Sequence, residues 1–158
     1  MERAVLISIR PRWVAKIMSG EKTIELRKTK PKVSPPFKCY IYQTLPKWGD
    51  WNERDGRVVG EFVCDEIYKD TIGQYADIYA SQGLVSLEEQ VEYALNGALY
   101  GWHISGLKMY DNPKPLNSFC NGSSRLEIKD GGVLGWSGMQ RPPQSWCYVE
   151  EISDSDRG

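Results

Sequence analysis

Gly20-Glu21-Lys22-Thr23-Ile24-Glu25-Leu26-Arg27-Lys28 is the stretch that decides how this chain is read. Ile24 and Leu26 fall on one side of a strand, and Thr23, Glu25 and Arg27 on the other. Residues two apart on a strand have Cα atoms roughly 6.5–7 Å apart, so Glu25 and Arg27 can share one site. Lys22 has the opposite parity. It joins them only if the strand opens with a bend, which Gly20 can supply. A carboxylate beside a cation keeps its charge, and the cation can hold a phosphate or a polarised carbonyl. The same charges also fit a solvated strand face carrying an ordinary surface ion pair.

On the N-terminal side, Ala4 to Ile9 is apolar almost throughout and predicts a buried strand. Pro11 suits the first turn of a helix, in which Trp13, Val14, Ile17 and Met18 recur at helical spacing and Gly20 marks the end. On the C-terminal side, Pro31, Pro35 and Pro36 make residues 29–37 a loop. Residues 38–44 predict a strand, 45–56 a polar loop exposing Trp48 and Trp51, and 57–67 a long strand. Gly60 inside that strand predicts a bulge or a close backbone approach.

Residues 70–83 predict short helical turns. Ser86 with Glu89 forms a capping-box pattern. The helix it opens is expected to bury Leu87, Val91, Ala94 and Leu95 and to end at Asn96-Gly97. Residues 100–110 predict a strand that Asp111 to Pro115 breaks, 121–138 a Gly- and Ser-rich loop, 141–145 a rigid turn, and 146–150 a closing strand. The expected fold is α+β: a closed or partly closed barrel of about five to six strands with two or three helices on its rim. Residues 1–152 are expected to form one domain, and 153–158 a frayed acidic tail.

With 158 residues, 41% hydrophobic and 26% charged, the chain can build one ordinary core. A net charge of −1 argues against coating duplex DNA by bulk charge. The charge is uneven, however. Residues 10–38 carry Arg10, Arg12, Lys16, Lys22, Arg27, Lys28, Lys30, Lys32 and Lys38 against only Glu21 and Glu25. Cys39, Cys64, Cys120 and Cys147 are widely spaced, and His103 is the only histidine, so neither a metal nor a disulfide framework is expected. Reduced thiols in a cytoplasmic protein, without a cofactor or a membrane span, are the expectation.

With these elements placed, the chain resembles the ASCH domain, a branch of the PUA-like barrel superfamily. The resemblance rests on Ser8-Ile9-Arg10-Pro11, the helix ending at Gly20, and Gly20-x-Lys22-x-x-Glu25-x-Arg27. It continues through Tyr40-Ile41-Tyr42 and Val59-Gly60-Glu61-Phe62. It covers most of residues 3–110 and resumes at 141–151, leaving 45–56 and 116–138 without a counterpart. It implies a barrel with a cleft lined by Lys22, Glu25 and Arg27, and an RNA-binding role. Related PUA-like modules bind modified bases, and some small ASCH proteins hydrolyse N4-acetylcytidine or RNA. The hydrolase pattern uses a lysine, a threonine and a distant glutamate. Lys22 matches the lysine, whereas the threonine position is Glu25 here.

Three function classes follow. A binding module for single-stranded RNA or a modified nucleotide would track phosphates along the cationic segment from Arg10 to Lys38, with Arg10, Arg12, Lys22, Arg27 and Arg141 as candidate contacts. It would stack bases on Trp102, Trp136 or Trp146, and Glu25 would accept hydrogen bonds from a base edge. Each tryptophan also fits a core position. A small hydrolase would use Lys22, Thr23 and Glu25, with His103 a candidate acid–base group. A protein-interaction domain is a third class, resting on Arg141-Pro142-Pro143-Gln144 and the 45–56 loop.

Overall fold

The structure is a computed structural model that describes residues 3–95, 97–121, 125–129 and 132–152; of 125–129 and 132–137 only the backbone is described. The expected tail at 153–158 lies outside the described residues. The apolar run Ala4–Ile9 forms β1, buried from Val5 to Ile9. Helix α1 spans Pro11–Met18 with Pro11 in its first turn, and it buries Val14 and Ile17. Gly20 follows at φ +83°, a left-handed conformation that suits glycine. The short strand β2, Ile24–Arg27, comes next.

Strands β3 (Phe37–Gln43) and β4 (Arg57–Asp70) are antiparallel neighbours, and β3 also runs parallel to β1. Two helices, α2 (Ala76–Gly83) and α3 (Leu87–Ala94), separate β4 from the long strand β5 (Leu99–Pro115). A short 3-10 turn at Leu116–Ser118 leads into β6 (Phe119–Cys120). The hairpin β7 (Arg125–Lys129) and β8 (Gly132–Ser137) precedes β9 (Trp146–Glu151).

Seven strands form one mixed sheet in the order β2-β5-β4-β3-β1-β9-β6, and β7-β8 form a separate pair. The three helices agree with the expected α+β class. Barrel closure is not observed: among the described residues the end strands β2 and β6 do not pair, so the sheet is open. The glycine and bulge signals report curvature rather than closure. Three register shifts between β4 and β5 supply that curvature. At one of them Gly60 opposes Met109, where an added Cβ would come within 2.7 Å of the Lys108 carbonyl oxygen.

Three other expectations are corrected. Strand β5 continues through Asp111 to Pro115, because the register jumps from Gly60–Met109 to Val58–Lys114 and Pro113 falls in the resulting bulge, where no ladder donor is needed. The expected loop at 121–138 contains the β7–β8 hairpin. Helix α3 does not bury the expected apolar stripe: Leu87, Val91 and Leu95 are exposed, and Gln90 is buried. Its side-chain amide donates to the carbonyls of Ala76 and Val85, tying α3 to α2. The capping box forms as read, with Ser86 and Glu89 bonded reciprocally. The helix ends with Leu95 at φ +45°, and Asn96 lies outside the described residues.

The main core joins β1, α1, β3, β4 and β5 around Val5, Ile7, Ile9, Ile41, Phe62 and Trp102. A smaller cluster of Ile24, Leu26, Tyr79 and Leu99 fastens α2 onto β2 and β5. Tyr79 is fully buried, and its hydroxyl donates to the carbonyls of Tyr68 and Leu99. The ring lies over Gly101, where a Cβ would meet Tyr79 Cε1 at 2.5 Å and Ile24 Cγ2 at 3.1 Å. Gly101→Ala is therefore expected to destabilise the fold by about 1–3 kcal/mol through overpacking. Urea unfolding checks this; a midpoint equal to that of the unmodified chain would show that the contact yields freely.

Candidate functional site

Beside β2 lies a cleft of about 950 Å³. Its floor comes from the alternation of the deciding stretch. Ile24 and Leu26 pack in the small core, Glu25 and Arg27 line the cleft, and Leu26 also reaches the cleft wall. Strand β2 begins only at Ile24, and the chain from Gly20 to Thr23 bends. That bend brings Lys22 into the cleft, with its backbone N–H bonded to the Lys16 carbonyl at 3.0 Å.

Lys22, Glu25 and Arg27 form one buried charge group. Glu25 Oε1 accepts from Arg27 Nη2 at 3.3 Å, and Oε2 stands 3.9 Å from Lys22 Nζ. Lys22 is 2% exposed and Glu25 6%. Each cation is also tied to main chain. Lys22 Nζ donates to the Gly83 carbonyl at the C-terminal end of α2, where the helix dipole favours a cation. Arg27 Nη2 donates to Ser8 O at 2.7 Å, and Nη1 reaches Ser145 Oγ at 3.2 Å and Ser145 O at 3.3 Å. Arg27 thus fastens β2 to β1 and to the segment entering β9.

The aromatic part of the cleft is Trp13, Tyr42 and Tyr93. Lys22 Nζ lies 4.8 Å from the Trp13 ring centre, the Arg12 guanidinium 4.4 Å from the same ring, and Lys28 Nζ 4.8 Å from Tyr93. Burial lowers the Lys22 pKa from the ordinary lysine value; Glu25 opposes that shift and Arg27 adds to it. Burial likewise raises the Tyr93 and Tyr42 hydroxyls. Glu25 Oε2 is buried without a hydrogen-bond partner in the protein.

Five of the cations that line the cleft are Arg10, Arg12, Lys22, Arg27 and Lys28, set against Glu25, Glu89 and Glu92. Of the candidates expected from the sequence, the structure brings Arg10, Arg12, Lys22, Glu25 and Arg27 together. It does not bring in the others. Trp102 is fully buried in the core against Phe37 and Trp146, so it offers no stacking surface. Trp146 lines a separate depression, and Arg141 is exposed on a turn outside the cleft wall. Thr23 precedes the strand and bonds Gln82, outside the cleft. His103 pairs with Asp65 at 2.6 Å and does not line the cleft. The Trp136 side chain lies outside the described residues.

Trp13, Tyr42 and Tyr93 line the cleft without being expected there from the sequence, and Lys28, part of the expected cationic segment, joins them. A signal existed for Trp13, which sits one position after Arg12 on the helix that leads into the motif. Tyr93 had none, because its helix was oriented by the wrong stripe.

Glu25 is the counter-charge for two buried cations, so its loss should be costly. Glu25→Ala is expected to destabilise the protein by about 3–5 kcal/mol, since it strands both cations. The isosteric Glu25→Gln is expected to lower the Lys22 pKa further, because the carboxylate is what favours the charged amine. An NMR titration of the lysine side chains, with urea unfolding of both variants, checks this pair. An unshifted Lys22 would break the proposed coupling.

No family model and no curated protein matches the chain. Solved structures do. The crystal structure of a ZmASCH variant from Zymomonas mobilis with serine replaced by alanine superposes with a TM-score of 0.66 at 18% identity, covering 93% of this chain and 88% of that one. A tyrosine-to-phenylalanine variant of the same protein gives 0.60 at 19% identity over 73% and 77%. The crystal structure of ASCH from that organism gives 0.58 at 16% identity over 97% and 90%. The superposition spans nearly the whole chain at a sequence identity that carries fold alone. The chain therefore has the fold of the ASCH domain.

Proposed function

We propose that this protein binds single-stranded RNA or a modified nucleotide in the cleft of Lys22, Glu25 and Arg27. The observation that carries the reading is the composition of the buried charge group: two cations share one carboxylate, which leaves an unmatched positive charge in a desolvated site. A phosphate supplies the missing charge. Glu25 Oε2, unpartnered in the protein, would accept from a base N–H or a sugar hydroxyl. Trp13, Tyr42 and Tyr93 offer ring surface for a base, and exposed Arg10 and Arg12 extend the phosphate path at the mouth. The ASCH-type fold supports a nucleic-acid ligand. The free thiols of Cys39, Cys64 and Cys147 fit a reducing, cytoplasmic setting.

A hydrolase is the second reading, favoured by the lowered Lys22 pKa, which raises the fraction of free amine. Two features oppose it. Glu25 stabilises the ammonium form, and neither Thr23 nor His103 reaches the cleft.

The test is anisotropy titration of a labelled single-stranded RNA against the unmodified chain and the variant Arg10→Glu/Arg12→Glu. Both residues are exposed, so folding is retained. The variant is expected to bind about tenfold or more weakly and to lose roughly 1.4 from the log–log salt slope. Equal affinity and slope would exclude the cleft mouth as the phosphate path. Mass spectrometry of the same mixtures, with acylated nucleosides added, separates the two readings. Unchanged components support binding alone, and a new product mass supports the hydrolase.

A further inference from the structure

A second depression of about 490 Å³ lies beyond the cleft, lined by Arg3, Lys30, Lys32, Val33, Trp146 and Tyr148. Three cations and two aromatic rings meet there, and no carboxylate lines it. Among the described residues, no ion pair engages Arg3, Lys30 or Lys32. The Arg3 guanidinium rests 5.0 Å from the Tyr148 ring centre, which holds it over the depression's wall.

The segment between the two sites is anchored. Trp146 Nε1 donates to Thr29 Oγ1 at 2.9 Å, and the Lys32 N–H donates to the Tyr148 hydroxyl at 2.8 Å. Pro31 is buried. Pro31 is thus packed into the protein and exposed Thr29 is tied to Trp146, while Lys28, Lys30 and Lys32 are exposed. Lys28 lines the first cleft, whereas Lys30 and Lys32 line the second depression. The lysines step from one site to the other along a fixed stretch of chain.

We propose that Lys28, Lys30, Lys32 and Arg3 form a phosphate track that carries a single-stranded nucleic acid out of the cleft into this second depression. This rests on the reading of the cleft as an RNA site and deepens it. The full ligand is then a strand of several nucleotides, one of which occupies the cleft. Spaced cations with little acidic interruption match the regular charge of a phosphodiester backbone, and Trp146 and Tyr148 give a base an apolar wall.

The experiment compares oligouridylates of about 3 and about 12 nucleotides, spanning the usual site size of small single-strand binding folds. Both are titrated against the unmodified chain and against Lys30→Gln/Lys32→Gln, a neutralisation of two exposed side chains. The unmodified chain is expected to bind the longer strand more tightly. The variant is expected to lose about tenfold on the longer strand, with a salt slope lower by roughly 1.4, and nothing on the shorter one. A length gain that survives intact in the variant would overturn the track while leaving the cleft standing. No binding of either strand by the unmodified chain would overturn the cleft reading and the track with it. Displacement of the longer strand by polyglutamate of equal charge at equal concentration would also overturn the track, since the depression would then attract any polyanion.

Discussion

The charge group of Lys22, Glu25 and Arg27 holds the cleft side of this structure together. Removing three charges from water is expensive unless each finds partners, and here the partners come from distant parts of the chain. The Gly83 carbonyl arrives from α2, Ser8 O from β1, and Ser145 from the approach to β9. Arg27 therefore works as a structural rivet as well as a cleft wall. The remaining fold can be seen as the frame that delivers those partners. Tyr79 packed over Gly101 fixes α2 on the sheet, and Gln90 fixes α3 on α2. The parallel β1–β3 pair at the centre gives Ser8 its place.

The satisfied hydrogen bonds do not balance the charge. Within the group one positive charge remains unmatched, and one carboxylate oxygen remains without a donor. A ligand that carries an anionic group and a nearby donor would answer both at once, and the proposed nucleotide would do so through its phosphate and its base or sugar. The same group also limits what chemistry is available. Glu25 keeps Lys22 closer to its charged form, which suits phosphate recognition better than nucleophilic attack.

Much of this was legible in the sequence where one residue type carries one physical meaning. Gly20 announced the bend that places Lys22, and the alternation from Ile24 to Arg27 separated core from cleft. Ser86 with Glu89 announced the start of α3. Legibility failed where the signal was composite. Pro113 reads as a strand breaker, yet a bulge on β5 removes the need for its N–H. Glycines and serines diluted the alternation of the β7–β8 hairpin. Helical spacing oriented α3 by Leu87 and Val91, but a pair of amide hydrogen bonds from Gln90 decided its packing. The Gly83 carbonyl could not be foreseen, because a main-chain acceptor leaves no residue-type signature. Trp102 and Trp146 read alike from the sequence as base-stacking candidates; only the sheet separates the core ring from the half-buried one.

The most direct measurement is the side-chain NMR signal of Arg27 Nε during titration with a nucleoside 5′-monophosphate and, separately, with the matching nucleoside. The account predicts a saturable shift with the phosphorylated ligand that is much larger than any change with the nucleoside, because the unmatched charge is what recruits the ligand. Equal shifts from both ligands, or a silent Arg27 while other signals move, would contradict it.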